Sequence, residues 1–132
     1  MMAKLEYTEV KIAEERLRSL FESHGLVFIE REITFVDRNV PAGDGFIDTL
    51  GLDEQLRPVI IEYKVNKEAS ADALVQALSY SYHIANDQEY YAKLFKQKLP
   101  KRKDIDFDNV RIVIVAPEFS RHVVDAAKAG QV

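Results

Sequence analysis

The sequence predicts an α/β fold, a three-layer sandwich in which helices flank a central mixed β-sheet. Runs of branched and aromatic residues with strand periodicity alternate with segments of helical periodicity. Two of the apolar runs are separated only by a short turn, which predicts an antiparallel hairpin. A later run, residues 110–116, consists mostly of branched residues and is typical of a parallel strand that is buried on both faces. The sheet should therefore contain both strand directions.

The bulk composition is that of one soluble domain. The chain has 132 residues, of which 47% are apolar and 30% are charged, so residues 1–132 can enclose a core. The absence of cysteine excludes disulfides, thiolate zinc sites and cysteine nucleophiles. No apolar run is long enough to cross a membrane and no signal-peptide core is present, so we expect a cytoplasmic protein. Because the chain stops soon after its last predicted helix begins, we expect a further strand to be missing at the C-terminus.

A helix is predicted near the start of the chain. Thr8 is a suitable N-cap, and Gly25 follows the last helical residue, Ser23, as a stop signal. Helical spacing places Glu14 on the apolar stripe of this helix. A carboxylate there needs a partner or a proton. Glu14 therefore either lies at the edge of the stripe, reaching solvent or pairing with Arg18, or belongs to a functional site.

Three strands are predicted next, because three runs are rich in branched and aromatic residues. They span residues 26–36, 45–52 and 59–65. The first is expected at the edge of the sheet and is followed by a loop over residues 37–44. The second and third form a hairpin around a turn at residues 53–55.

Two helices, a strand and a last helix complete the predicted order. Ser70 is a suitable cap for a helix over residues 69–85. Asn86 and Glu89 have the spacing of a capping box for a helix over residues 87–99, which Pro100 ends. The remaining strand and helix are predicted at residues 110–116 and 120–129.

Acidic residues interrupt the hairpin at positions where buried strands usually carry none. Asp48 lies in one strand and Glu62 in the next, and alternation places Glu62 and Lys64 on the same face. If Asp48 pairs alongside, two carboxylates and a lysine converge, and a divalent cation such as magnesium would relieve the repulsion. The alternative is an ordinary salt bridge between Glu62 and Lys64, which contributes only about 0–1 kcal/mol. That alternative gives no reason for Asp48 to be present.

The helix after the hairpin carries a polar face. Gln76, Tyr80 and His83 fall at i, i+4 and i+7 and therefore lie along one side. His24, His83 and His122 show no metal-ligand spacing, so a histidine-based metal site is not expected. A histidine on a helix surface is the simpler interpretation of His83.

Basic residues are concentrated in one segment, although the formal net charge of the chain is −4. Such a segment creates a local positive surface that suits nucleic acid. The alternative is a solvated helix end whose lysines complement the helix dipole, followed by a basic loop. The six cations are Lys93, Lys96, Lys98, Lys101, Arg102 and Lys103.

Taken together, these motifs resemble the PD-(D/E)XK nuclease superfamily, and most closely its restriction-endonuclease-like branch of RecB-type and NucS-type nucleases. The resemblance extends from about Glu9 to Tyr80 and, more loosely, through the strand at residues 110–116. Two positions depart from the pattern: Ile47 stands where the namesake proline would be, and Phe46 where NucS-like sequences tend to have arginine. The residues that carry the resemblance are Glu14, Gly45-Phe46-Ile47-Asp48, Val59-Ile60-Ile61-Glu62-Tyr63-Lys64 and Gln76-Ala77-Leu78-Ser79-Tyr80.

The resemblance implies an endonuclease-like enzyme that hydrolyses DNA with magnesium or manganese. In that family pattern Asp48 and Glu62 hold the metal together with the main-chain carbonyl of Tyr63. Lys64 orients the attacking water and stabilises charge on the phosphate, in agreement with the chemistry of in-line displacement.

The same resemblance implies supporting roles outside the hairpin. Gln76 and Tyr80 support the site from the following helix, and Glu14 binds the metal through water. DNA is the implied partner, and a homodimer is compatible with the family. Two further hypotheses stay open: a nuclease-fold module without turnover that binds DNA or assembles proteins, with the basic segment as its contact surface, and a partner-binding domain with no nucleic-acid role.

Overall fold

A mixed β-sheet organises the chain. The computed structural model describes residues 5–9, 32–64, 67–116 and 119–129. Within these ranges there are five strands and three helices. Their bounds are β1 Leu5–Glu9, β2 Thr34–Ala42, β3 Gly45–Leu52, β4 Pro58–Tyr63, α1 Lys67–Asn86, α2 Gln88–Lys98, β5 Arg111–Ala116 and α3 Arg121–Ala129.

The strand order is β1-β5-β4-β3-β2. Strands β2, β3 and β4 pair antiparallel, whereas β4, β5 and β1 pair parallel. The parallel β4 and β5 are joined through α1 and α2, since parallel neighbours need a long crossover. The predicted α/β class, the mixed sheet and the hairpin are confirmed. The edge strand β2 shares only residues 34–36 with the first predicted strand, residues 26–36, of which 26–31 lie outside the described residues.

Both faces of the central strands are buried. On β5, Ile112 and Ile114 belong to a cluster that α1, α2 and α3 cover, whereas Val113 and Val115 belong to a second cluster on the other face. Strand β4 divides in the same way, with Ile60 in the first cluster and its two neighbours in the second. Alternation therefore directs Glu62 toward the face that carries Ile60, which α1 covers.

The start of the chain differs from the prediction. Thr8, the predicted helix cap, lies within β1, which pairs parallel with β5. A cap signal is local and weak, and pairing with a buried strand overrides it. The remainder of the predicted helix, including Glu14, lies outside the described residues.

The prediction of a loop over residues 37–44 is also wrong. Strand β2 continues to Ala42, and only Gly43 and Asp44 form the turn into β3. Pro41 is tolerated because β2 is an edge strand, where a missing N–H breaks no sheet pairing on the solvent side. Asn39 accommodates a left-handed φ of 51° within the strand. The longer hairpin carries Gly45 and Asp48 to one end of the sheet.

Two predicted helix caps are replaced by other contacts. Ser70 lies inside α1, and its Oγ accepts a hydrogen bond from the backbone N–H of Ser120 at 3.1 Å. Asn86 ends α1 and donates through its side chain to the carbonyl of Tyr82 at 2.8 Å. Asp87 precedes α2 without a side-chain capping bond. Ser120 caps α3, because its Oγ accepts a hydrogen bond from the backbone N–H of Val123 at 3.4 Å.

A buried ion cluster holds the end of the sheet where β3 turns into β4. Asp53 Oδ2 lies 2.8 Å from Nε of Arg57 and 3.2 Å from Nη1 of Arg111, which is 2% exposed. Burial acts to raise the pKa of Asp53, but the hydrogen bonds and charge of Arg57 and the hydrogen bond of Arg111 outweigh it and hold the pKa below its ordinary value. The cluster thus anchors the turn to the start of β5.

None of the helices in the described ranges combines the length and the apolar character that crossing a membrane requires.

Candidate active site

The candidate site lies where the β3–β4 ladder ends. Backbone pairing runs from Leu52 opposite Pro58 to Thr49 opposite Ile61. One step further along the hairpin come Asp48 and Glu62, whose pairing the sequence alone left open. The structure brings them together at this position.

Beyond this point, side-chain hydrogen bonds connect β3 and β4 in place of backbone pairing. Glu62 Oε2 accepts the backbone N–H of Asp48 at 2.8 Å, and Asp48 Oδ2 accepts the backbone N–H of Tyr63 at 3.1 Å. Each carboxylate is therefore held by the opposite strand. Glu62 is 1% exposed and Asp48 is half-buried, so these N–H donors offset part of the desolvation of the two charges. One oxygen of each carboxylate takes no part in the two bonds.

Lys64 follows directly after β4. Its backbone N–H donates to the carbonyl of Val115 at 2.8 Å, which continues the β4–β5 pairing beyond the strand. Its side chain is half-buried, and alternation places it on the same side as Glu62. This geometry agrees with the prediction that the carboxylate of Glu62 and the ammonium of Lys64 lie on one side at the end of a strand.

Tyr80 of α1 approaches the two carboxylates. Burial raises the pKa of its phenol, and the negative charges of Glu62 and then Asp48 raise it further, against a backbone hydrogen bond from Phe46. The side chain is only 9% exposed. The hydroxyl therefore stays protonated at neutral pH and lies close enough to both acids to sense their charge.

Gly45 makes room for Tyr80. A Cβ atom at this position would lie 2.5 Å from the Tyr80 hydroxyl oxygen. Gly43, whose φ is 60°, is covered in the same way by the ring of His83. The hairpin turn can therefore pack against α1 only because both positions lack side chains.

A cleft of about 360 Å³ opens between this turn and α1. The predicted polar face is confirmed, because Gln76, Tyr80 and His83 all line it. Two further polar residues of the lining, Ser79 and Asp44, were missed. Ser79 follows Gln76 at i+3, so helical spacing could have identified it, whereas only the hairpin turn brings Asp44 there.

The donor set suits a hard cation better than a soft one. Among the described residues, no group of three or more histidine, cysteine, aspartate or glutamate side chains is placed to hold a metal. Asp48 and Glu62 supply two carboxylates, and magnesium is commonly bound by one or two carboxylates with several waters. The two residues therefore fit magnesium or manganese with water or substrate oxygens completing the shell.

The structure does not bring the end of the basic segment to this site. Residues 101–103 lie in the loop after α2, and the N–H of Asp106 further along that loop donates to the carbonyl of Leu56 at 2.7 Å. Leu56 lies in the β3–β4 turn, at the opposite end of the sheet from Glu62. The four residue steps from Pro58 to Glu62 alone span about 13 Å.

The six cations of the segment are all exposed. Two of them form long ion pairs: Lys93 lies 3.9 Å from Glu89, and Lys98 lies 3.7 Å from Asp37. Surface pairs of this kind contribute little to stability. The charge of the segment is therefore largely accessible from solvent.

Comparison with known proteins identifies the fold. No model of a known protein family matches this chain. An uncharacterized protein of Haemophilus influenzae is 28% identical over 95% of this chain, which spans 41% of that relative. A repair endonuclease from Pyrococcus abyssi has a similar structure, with a TM-score of 0.55 and 18% identity over 92% of this chain. An EndoMS complex with double-stranded DNA has a TM-score of 0.52 and 18% identity over 95%. This chain spans 45% of each structure.

Proposed function

We propose that this chain is a single nuclease domain that hydrolyses DNA phosphodiester bonds with the help of a divalent metal ion. The observation that carries the proposal is the reciprocal pair formed by Asp48 and Glu62, in which each carboxylate is bound to the backbone of the opposite strand. Such bonds fix the position of two charges that would otherwise repel. The fold shared with two endonucleases supports the same interpretation.

The metal ligands in this proposal are Asp48, Glu62 and the main-chain carbonyl of Tyr63, and the ion is magnesium or manganese. When bound, such an ion lowers the pKa of its water and polarises a phosphoryl oxygen. Asp48 and Glu62 would hold the ion through carboxylate oxygens, with the side chain of Glu62 1% exposed and that of Asp48 half-buried. Glu14 is assigned a water-mediated contact to the ion on the family resemblance.

The other residues act on the phosphate and its surroundings. Lys64 places a positive charge beside the carboxylates, where it orients the attacking water and stabilises charge that develops in the transition state. Tyr80, whose phenol is protonated at neutral pH, lines the cleft and can donate a hydrogen bond there. Gln76 offers a neutral amide on the same wall. DNA is the proposed partner of this wall.

A plasmid-nicking assay with magnesium or manganese tests the proposal. Glu62→Gln keeps the shape and the acceptor for the Asp48 N–H but removes the charge, so nicking should fall at least about 100-fold. Glu54→Gln is the matched control, because Glu54 is exposed in the β3–β4 turn. Nicking by Glu62→Gln and by Lys64→Met at the wild-type rate would exclude this chemistry.

Thermal melting tests metal binding independently of cleavage. With a Kd near ~1 mM, 10 mM magnesium should stabilise the wild type by about 1.4 kcal/mol, or several degrees in Tm. Asp48→Asn should abolish the rise. Asp72→Asn, an exposed change on α1, should keep it. A rise of equal size in Asp48→Asn would place the ion elsewhere.

A second candidate is a nuclease-fold module without turnover that binds DNA through the basic segment. The exposure of all six cations favours it. Replacing Lys101, Arg102 and Lys103 by glutamine should then lower the salt slope of DNA binding by about 3. An unchanged slope would remove these cations from the DNA contact.

A further inference from the structure

A groove lies between α2 and the loop that leads to β5, far from the candidate site. Its volume is about 320 Å³, which is enough for one or two side chains of a ligand. Phe95 and Phe107 pack edge to face beneath it, with ring centroids 5.5 Å apart. The apolar part of the lining is formed by Ala92, Phe95, Pro100, Ile105 and Phe107.

Three cations surround this apolar floor. Lys96, Arg102 and Lys103 line the groove and are exposed. Within the described ranges, none of the three takes part in an ion pair, and Asp104 is the one acid in the lining. The backbone of Asp104 adopts a left-handed φ of 61°, at the bend that closes the groove. The groove therefore combines an apolar floor with a positive rim.

The floor does not suit nucleic acid. A phosphate gains nothing from apolar walls, and an unpaired base needs an open aromatic face on which to stack. Phe95 is 1% exposed and Phe107 is 8% exposed, so neither ring offers such a face. An aliphatic side chain needs no open face and can rest on the edges of buried rings.

We propose that this groove binds an acidic segment of a partner protein, with one aliphatic side chain on the floor and carboxylates on Lys96, Arg102 and Lys103. The positive charge that would attract such a segment is confined to the rim of the groove, since the chain as a whole is acidic, with a formal charge of −4. The basic segment then serves protein docking at this end of the sheet. The inference does not rest on the proposed nuclease activity.

Fluorescence anisotropy with two labelled peptides tests the proposal. The first is a twelve-residue peptide of glutamate, glycine and serine with one central leucine, and the second has serine in place of that leucine. Burial of the leucine should make the first peptide bind about tenfold or more tightly than the second. Raising the salt concentration should weaken the binding of both peptides.

Matched variants locate the binding surface. Lys96→Gln combined with Arg102→Gln removes two charges from the rim and should weaken binding of the leucine peptide by about 2-fold to 30-fold. Lys93→Gln combined with Lys128→Gln removes the same charge from exposed positions outside the groove and should leave the affinity unchanged. All four positions are exposed, so the fold should persist, which circular dichroism can verify.

Three results would overturn the proposal. The first is equal affinity for the two peptides, which would show a response to charge alone. The second is no binding of the leucine peptide at ~1 mM protein, the weak end of specific recognition. The third is competition by a twelve-nucleotide oligothymidine. If this oligonucleotide displaces the leucine peptide and binds the Lys96→Gln, Arg102→Gln variant more weakly than the wild type, the groove is a nucleic-acid surface.

Discussion

The contact between Gly45 and Tyr80 predicts a strong effect of adding one methyl group. In Gly45→Ala the new Cβ would lie 2.5 Å from the Tyr80 hydroxyl oxygen and 3.2 Å from Cε1 and Cζ of the ring. The first distance is far below a van der Waals contact, so an atom must move. Because Tyr80 is 9% exposed and packed in the first core cluster, its ring has little space in which to move.

Overpacking of this kind costs about 1–3 kcal/mol of unfolding free energy. For a domain of 132 residues that corresponds to a fall in Tm of about 3–15 °C. Displacing Tyr80 would also strain its hydrogen bond with the backbone of Phe46, beside the two carboxylates. The candidate site and the stability of the domain should therefore be damaged together.

A double-mutant cycle isolates the contact. Tyr80→Phe removes the oxygen that the new Cβ would meet but keeps the ring, so Gly45→Ala should cost at least about 1 kcal/mol less in that background. Urea denaturation of the wild type, the two single variants and the double variant measures the coupling. The reasoning is refuted if Gly45→Ala lies within about 0.5 kcal/mol of the wild type, or if it costs the same in both backgrounds.

Three further predictions concern charge and protonation. Asp53→Asn should destabilise the domain by about 1.5–3 kcal/mol at pH 7, because it removes the charge that lies 3.2 Å from buried Arg111 and 2.8 Å from Arg57. The pKa of Asp53 is lower in the folded state than its ordinary value of 3.8. The stabilisation of the fold by this carboxylate is therefore fully present above pH 3.8 and is lost as the pH falls through the folded pKa. The Tm values of Asp53→Asn and the wild type should converge in acid. Burial, followed by the influence of Tyr90 and Asp87, raises the pKa of Tyr91 to about 12, so absorbance titration should show a late step that Tyr91→Phe removes. The free energy of folding that protonated Tyr91 contributes is fully present below pH 10 and declines as the pH rises toward 12. An absorbance step at pH 10 that Tyr91→Phe removes would contradict the raised pKa. Replacing residues 101–103 by glutamine should leave the salt slope of DNA binding unchanged if the groove docks protein, whereas a decrease of about 3 would support the DNA-binding module.

Features that depend on local periodicity could be predicted from the sequence. Alternation along β4 placed Glu62 and Lys64 on one face. The hairpin made a pairing of Asp48 with Glu62 possible, and the strand register in the structure decided it. Helical spacing aligned Gln76 and Tyr80 on the wall of one cleft. These features follow from periods of 2 and 3.6 residues, which neighbouring residues specify without help from the rest of the chain.

Tertiary structure alone decided the features that join distant segments. Strand β1 forms where the sequence favoured a helix cap, because β5 offers a buried strand to pair with. Ser70 binds the backbone of Ser120, fifty positions away, instead of capping its own helix. The end of the basic segment, residues 101–103, lies away from the candidate site because the loop after α2 is held to Leu56. A local pattern carries no information about these partners, since their contacts gain free energy only when the whole sheet is assembled.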